Sequence, residues 1–228
     1  MGKTQNVTIN PMELAKVELT IVGTTPLIVH AWSPKARRQM LDKQTGKAAK
    51  SKHETKVPHN DFMNSLYWID GSDGSFDCET EEEAEACWRD AVAGGAKFGF
   101  PVTGIKQSAI TGAVRGGMDA KMTELRGAFF LEGATEYSTP DLAEIVGEPP
   151  VMREDMVKLG GMGNPADVRH RGEFREWRIP LRMTYNVNGK YSLEQLLNCF
   201  EAGGFVTGIG EWRPERDGQF GMYTLLKA

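Results

Sequence analysis

The residues best equipped for chemistry lie near the end of the chain, in GIGEWRPERDGQFG from Gly208 to Gly221. Arg213 and Arg216 carry planar guanidinium groups that suit phosphate oxygens. Trp212 beside them offers a ring face on which a base can stack. Gly208, Gly210, Gly218 and Gly221 permit left-handed backbone and close approach of another chain segment. Pro214 stiffens the middle. A loop of this kind either turns tightly or receives something.

Two other stretches are basic. Lys35, Arg37, Arg38, Lys43, Lys47, Lys50, Lys52 and Lys56 are opposed only by Asp42 and Glu54. So polar a run buries little and reads as a loop in its second half, either contacting phosphate or simply solvated. The segment Gly160 to Gly172 reads as a second exposed loop, with Arg169 and Arg171 as candidate contacts. Its arginines, and Arg175, Arg178 and Arg182 after them, alternate with Glu173 and Glu176, so pairing within the chain is a rival to nucleic-acid contact. Arg115, near the end of a helix, joins the candidate set. Trp32, Trp177 and Trp212 stand beside basic residues, although the position of Trp177 on an alternating strand favours the core, as does that of Trp88 on a helix.

Catalytic and metal chemistry find less support. His30 follows an apolar strand end and reads as a hydrogen-bonded structural histidine. His53, His59 and His170 fall in loops without partners at ligand spacing, and Cys78, Cys87 and Cys199 are not spaced as a metal set. There is no phosphate-cradling GxxxxGK[ST], no nucleophile elbow and no HExxH, and no helix opens after GIG as a dinucleotide site requires. The expectation is no metal and no cofactor.

The elements that must position these residues follow from periodicity. The 228 residues suffice for one good-sized core, and 40% hydrophobic with 25% charged content is that of an ordinary globular chain. The net charge of −4 excludes a uniformly basic protein but not a basic face. No leader or membrane-spanning run is evident, so a cytoplasmic location is expected. Val17, Leu19 and Ile21 alternate as a strand, Leu27 to Val29 resume it, and a short helix is predicted over 34–43. A second helix or turn starts at Asn60. Asp70 to Asp90 is an acidic loop feeding an amphipathic helix, with Thr80 and Glu83 at capping-box spacing. A helix over 103–116, a strand at Phe129 to Leu131, a loop over 133–150 and a strand from Val151 follow. Trp177 to Val187 is the clearest strand, with Pro180 suggesting an edge or bulge. Ser192 and Gln195 box the start of a helix that ends at Gly203–Gly204, and Phe220 to Leu226 is the last strand. This order is α+β. A ferredoxin-like (RRM-like) core with an antiparallel sheet and long insertions fits it. The insertions fall at about 44–58, 70–95 and 160–172 of a single domain.

The ending FEAGGFVTGIGEWRPERDGQFGMYTL resembles the glycine-rich signature of the RAMP superfamily, the RNA-binding proteins of CRISPR systems. Further blocks occur in order: Gly23-Thr24-Thr25-Pro26-Leu27 followed by His30 and Ser33, Pro101 to Arg115, and Arg169 to Trp177. Together they resemble RAMP-like bacteriophage proteins akin to the backbone subunit of Cascade-type complexes. The acidic segment departs from that pattern.

The resemblance implies a palm with projecting insertions that binds single-stranded RNA or DNA in a groove and assembles along it as a filament. The acidic segment would then face the basic loop of the next protomer. Two alternatives stay open. One is a metal-independent endoribonuclease, for which His30, Asp61 and Asp167 are positional candidates. The other is a phage assembly or inhibitor protein acting through protein contacts.

Overall fold

Trp177, Ile179, Leu181 and Met183 put four buried side chains on one face of a strand, and the main sheet forms around it. A computed structural model of the chain describes residues 11–32, 34–46, 56–69, 75–158 and 166–227. The strands are β1 (Leu14–Gly23), β2 (Leu27–Val29), β3 (Gly99–Pro101), β4 (Phe129–Gly133), β5 (Leu142–Glu144), β6 (Val146–Gly147), β7 (Val151–Lys158), β8 (Ala166–Phe174), β9 (Trp177–Asn186) and β10 (Tyr223–Leu225). The helices are α1 (Pro34–Gln44), α2 (Pro58–Asn64), α3 (Glu81–Ala93), α4 (Val102–Arg115), α5 (Met122–Ala128) and α6 (Leu193–Ala202). A π-helical turn at Gly203–Thr207 continues α6, and a 3-10 turn follows at Pro214–Arg216. The class is α+β with antiparallel sheets.

The main sheet runs β10-β1-β9-β4, with β6 also pairing β9. Its buried face is covered by α4 and α6, whose Ile105, Ala109, Leu196 and Phe200 meet Ile179, Leu181 and Phe129 in one core. The period of two sends alternate residues of the same strands outward. There Arg182 sits opposite Glu18 and Glu132 and bonds both, at 2.9 and 3.4 Å, while Lys16 reaches Glu132 at 3.3 Å. The pairing anticipated for Arg182 is therefore internal to the sheet.

Pro180 does not mark an edge, because β9 lies between β1 and β4. In a strand the N and C=O of one residue point to the same side, and Pro180 O accepts from Ala134 N at 3.1 Å. Its missing N–H therefore faces the point where the β4 ladder stops after Gly133, before β6 takes up pairing at Arg178.

The capping box at Ser192 forms in both directions: Ser192 Oγ accepts from Gln195 N and Gln195 Oε1 from Ser192 N. Gly112 lets α4 pack closely on the π-helical turn. A Cβ there would lie 2.4 Å from Gly203 Cα.

A second sheet, β2-β8-β7, is covered by α2. An aromatic cluster of Phe62, Trp68, Trp88, Phe98 and Phe174 packs beneath it, with Trp88 4.7 Å edge-on to Phe62. Here the expected loop at 160–172 is corrected. From Ala166 onward it is β8, with His170, Arg171 and Gly172 buried. The 133–150 segment likewise contains β5 and β6, while Tyr67–Ile69 contributes only a single bridge, Trp68 to Phe98. Among the described residues no helix is long and apolar enough to cross a membrane. Residues 1–10, most of the basic insertion (47–55), the start of the acidic one (70–74) and residues 159–165 lie outside the described part.

Candidate nucleic-acid interface

The glycine-rich loop is stitched to the strand-turn-strand that opens the chain. Gly221 N donates to Pro26 O at 2.8 Å, Glu211 N to Ile28 O at 2.9 Å, and Ile209 N to Gly221 O at 2.9 Å. So the loop runs along β2 as a fourth, irregular neighbour of the second sheet. Gly208, Gly210 and Gly221 have φ of +66°, +77° and +65°. A Cβ on Gly210 would meet Ile28 O at 2.3 Å, and one on Gly218 would meet Trp212 O at 1.7 Å. Gly210, Gly218 and Gly221 shape the loop against backbone, and Gly208 packs first on the Pro214 ring.

The arginines of the loop divide. Arg213 donates to Glu215 Oε2 through Nε and NH2, at 3.1 and 2.8 Å, and to Gly210 O at 3.0 Å. It clamps the loop closed and is not the free cation its position suggested. Arg115 meets the same Glu215 at 3.1 Å. Arg216 is exposed and has no side-chain partner among the described residues. Arg213→Ala is therefore expected to cost about 1–3 kcal/mol of stability in urea unfolding, by releasing Gly210 O and Glu215 together. Arg216→Ala should stay within about 0.5 kcal/mol of the parent.

The other predicted contacts also separate. Arg37 and Arg38 are exposed on α1, without side-chain partners among the described residues. Lys56 is held by Asp167 at 3.2 Å and Asp61 at 3.6 Å and donates to Val168 O. Arg169 lies 3.6 Å from Asp167. Arg171 is corrected outright, being 3% exposed and bonded to Asp155 at 3.2 Å, with Glu211 at 3.8 Å. Lys47, Lys50 and Lys52 lie outside the described residues, as do the side chains of Lys35 and Lys43. Trp177 is core, its Nε1 donating to Thr25 O at 2.9 Å.

Trp32 and Trp212 remain exposed, at 61% and 41%. Trp212 directly follows Glu211, which bonds Ile28, and Trp32 lies four residues beyond Ile28 on the same strand end. Trp212 has φ +52°, a backbone state that costs a bulky residue about 1–2 kcal/mol. Phe220 N holds it by donating to its carbonyl at 3.0 Å.

Beside the loop lies a cavity of about 270 Å³ between its backbone, the end of β2 and the first turns of α4. Sequence reasoning missed it because its walls come from four separate stretches of chain. His30 opens onto it and makes no side-chain hydrogen bond among the described residues, contrary to the expected bonded histidine. Burial, then the Arg171 charge, pushes the His30 pKa below its ordinary value, so the ring is neutral near pH 7. Burial and then the nearby Glu211 raise that of Tyr67. Elsewhere, ligand atoms of His59, Glu81 and Glu85 lie within 4.8 Å of one another, a set that could hold a divalent ion. The Cys78 and Cys87 sulfurs are 3.7 Å apart. Neither grouping was visible in the residue spacing.

No protein-family model and no characterised protein matches the chain.

Proposed function

We propose that this chain is a non-catalytic RAMP-type protein that binds single-stranded RNA or DNA and assembles along it. The observation that carries the reading is Trp212. A bulky residue held at φ +52° while 41% of its surface stays exposed is strain that burial repays only in part, and such outliers concentrate where a side chain must be presented. Trp32 is exposed just past the end of β2, and Arg37, Arg38 and Arg216, without side-chain partners among the described residues, lie near the two indoles in sequence. Stacking faces with phosphate-neutralising cations are what an unpaired strand requires.

The strand order β10-β1-β9-β4, with α4 and α6 as the crossovers, supports a ferredoxin-like core, in which the second and third core strands are β4 and β9. Assembly is favoured by charge. Glu82, Glu83, Glu85 and Asp90 on α3 present acidic side chains that the basic 44–58 stretch of a neighbour would complement in charge. Filament growth would then bring the two together at each repeat.

The test is fluorescence anisotropy with labelled single strands over a salt series. Affinity is expected to fall steeply with salt, and Arg37→Ala, Arg38→Ala and Arg216→Ala should each flatten the log–log slope by about 1. Trp212→Ala should weaken binding by about tenfold or more, as loss of one stacked base does. Absence of binding to any single strand at low salt would remove the proposal.

A further inference from the structure

We infer that the cavity beside the glycine-rich loop is a pocket for one extruded nucleobase bearing an exocyclic amino group. This rests on the strand-binding reading above and gives that site a base preference. Size is the first argument. At about 270 Å³ the cavity is below the ~300–1,000 Å³ of sites for larger ligands, and it suits one base rather than a stacked pair.

Charge is the second. The lining holds two carboxylates, Glu211 and Glu215, against one guanidinium, Arg213, which is already committed to Glu215. With His30 neutral, that wall repels phosphate and accepts hydrogen bonds. The Glu211 carboxylate keeps its acceptor capacity for this purpose, since its ion partner among the described residues, Arg171, stands 3.8 Å away, beyond hydrogen-bond distance. A carboxylate accepts from amino groups such as cytosine N4 and has nothing to offer a uracil or thymine carbonyl.

Unsatisfied hydrogen bonding is the third. Thr207 is 2% exposed, lines the cavity, and its hydroxyl has no partner among the described residues. A buried hydroxyl left alone is costly, which makes it a strong reader of any polar edge brought to it. Gln107 on α4 lines the same cavity, and its exposed amide, without a protein partner among the described residues, both donates and accepts. Tyr67 and Phe100, edge to face at 6.2 Å, complete the wall with aromatic surface for the base plane. Extruded bases are bound in this manner, by stacking on aromatic groups and by hydrogen bonds to the Watson–Crick edge.

The experiment compares labelled A, C and U (or T) homopolymers of equal length at constant salt, for the parent protein, Gln107→Ala, Thr207→Val and Glu211→Gln. The parent should prefer A or C to U by about tenfold. Gln107→Ala and Thr207→Val should remove that preference while leaving affinity for U unchanged. Glu211→Gln should raise affinity for U, because an amide can donate where the carboxylate cannot. Thr207→Val deletes an unpartnered hydroxyl, so its Tm should equal or exceed the parent's, which separates loss of recognition from loss of fold. Free adenosine and cytidine, which lack phosphate, should shift NMR signals of the cavity residues. Equal affinity for all homopolymers together with no nucleoside response overturns the pocket and leaves strand binding standing. Nucleoside binding without strand binding does the reverse. Uniform weakening of every homopolymer by the cavity variants also overturns it, since the cavity would then serve only the fold.

Discussion

Gly221→Ala is expected to destabilise the protein by about 3 kcal/mol, a large share of the ~5–15 kcal/mol of a typical domain. Two costs combine at this position. The residue has φ +65°, which costs a side-chain-bearing residue about 1–2 kcal/mol. A Cβ would also lie 1.8 Å from Ile209 O, so the backbone must move, at a further ~1–3 kcal/mol as in overpacking. That movement stretches two hydrogen bonds at once, Gly221 N to Pro26 O and Ile209 N to Gly221 O. Gly46 supplies the control. Its φ of +71° is as left-handed, but no atom of the described residues lies within 4 Å of its Cβ position. Gly46→Ala should cost only about 1–2 kcal/mol, the conformational part alone. Urea unfolding of the two variants isolates the steric part. Equal losses would mean that the loop is not pressed against β2 and that its glycines do not shape it against backbone. Because Ile209 lines the cavity, Gly221→Ala should also weaken single-strand binding, whereas Gly46→Ala should not.

The same contrast between local and distant causes explains what could be read in advance. The α6 start was legible because Ser192 and Gln195 satisfy each other within one turn. β9 was legible because the alternation of Trp177, Ile179, Leu181 and Met183 is a property of the strand itself. Pro180 misled because its tolerance depends on a gap between β4 and β6, which no local pattern records. β8 was hidden for a related reason. A buried strand carrying His170 and Arg171 at adjacent positions resembles a charged loop until its partners are known. Those partners are Glu154 and Asp155 on β7, Glu211 in the glycine-rich loop and Asp61 on α2. The loop itself was recognisable by composition, yet the roles of its arginines were not. Arg213 and Arg216 differ only in whether Glu215 and Gly210 O can be reached, and that is decided by the turn at Pro214–Arg216.

Arg171 gives the second large effect, and its two substitutions should be strongly unequal. A guanidinium in a protein does not escape burial by shedding its proton, so it must be met by partners. Asp155 is its near partner, at 3.2 Å, and Asp155 is itself held by Arg153 Nε at 2.9 Å. Asp155→Ala strands a positive charge that is 3% exposed, with Nε already lacking a partner among the described residues. The expected loss is about 3–5 kcal/mol, as when one member of a buried pair is removed. Arg171→Met removes the charge and keeps an unbranched apolar chain, while Asp155 keeps Arg153. The loss should then be about 1–2 kcal/mol. The double variant should be more stable than Asp155→Ala alone, which a thermodynamic cycle by urea unfolding would reveal. A double variant as unstable as Asp155→Ala would show that the aspartate acts through something other than this pair. Binding supplies an independent check. A groove cation that neutralises phosphate lowers the salt slope by about 1 when removed. Arg171 is covered by β7 and by Glu211, so Arg171→Met should leave the slope unchanged even where affinity falls, because its charge answers carboxylates of its own chain.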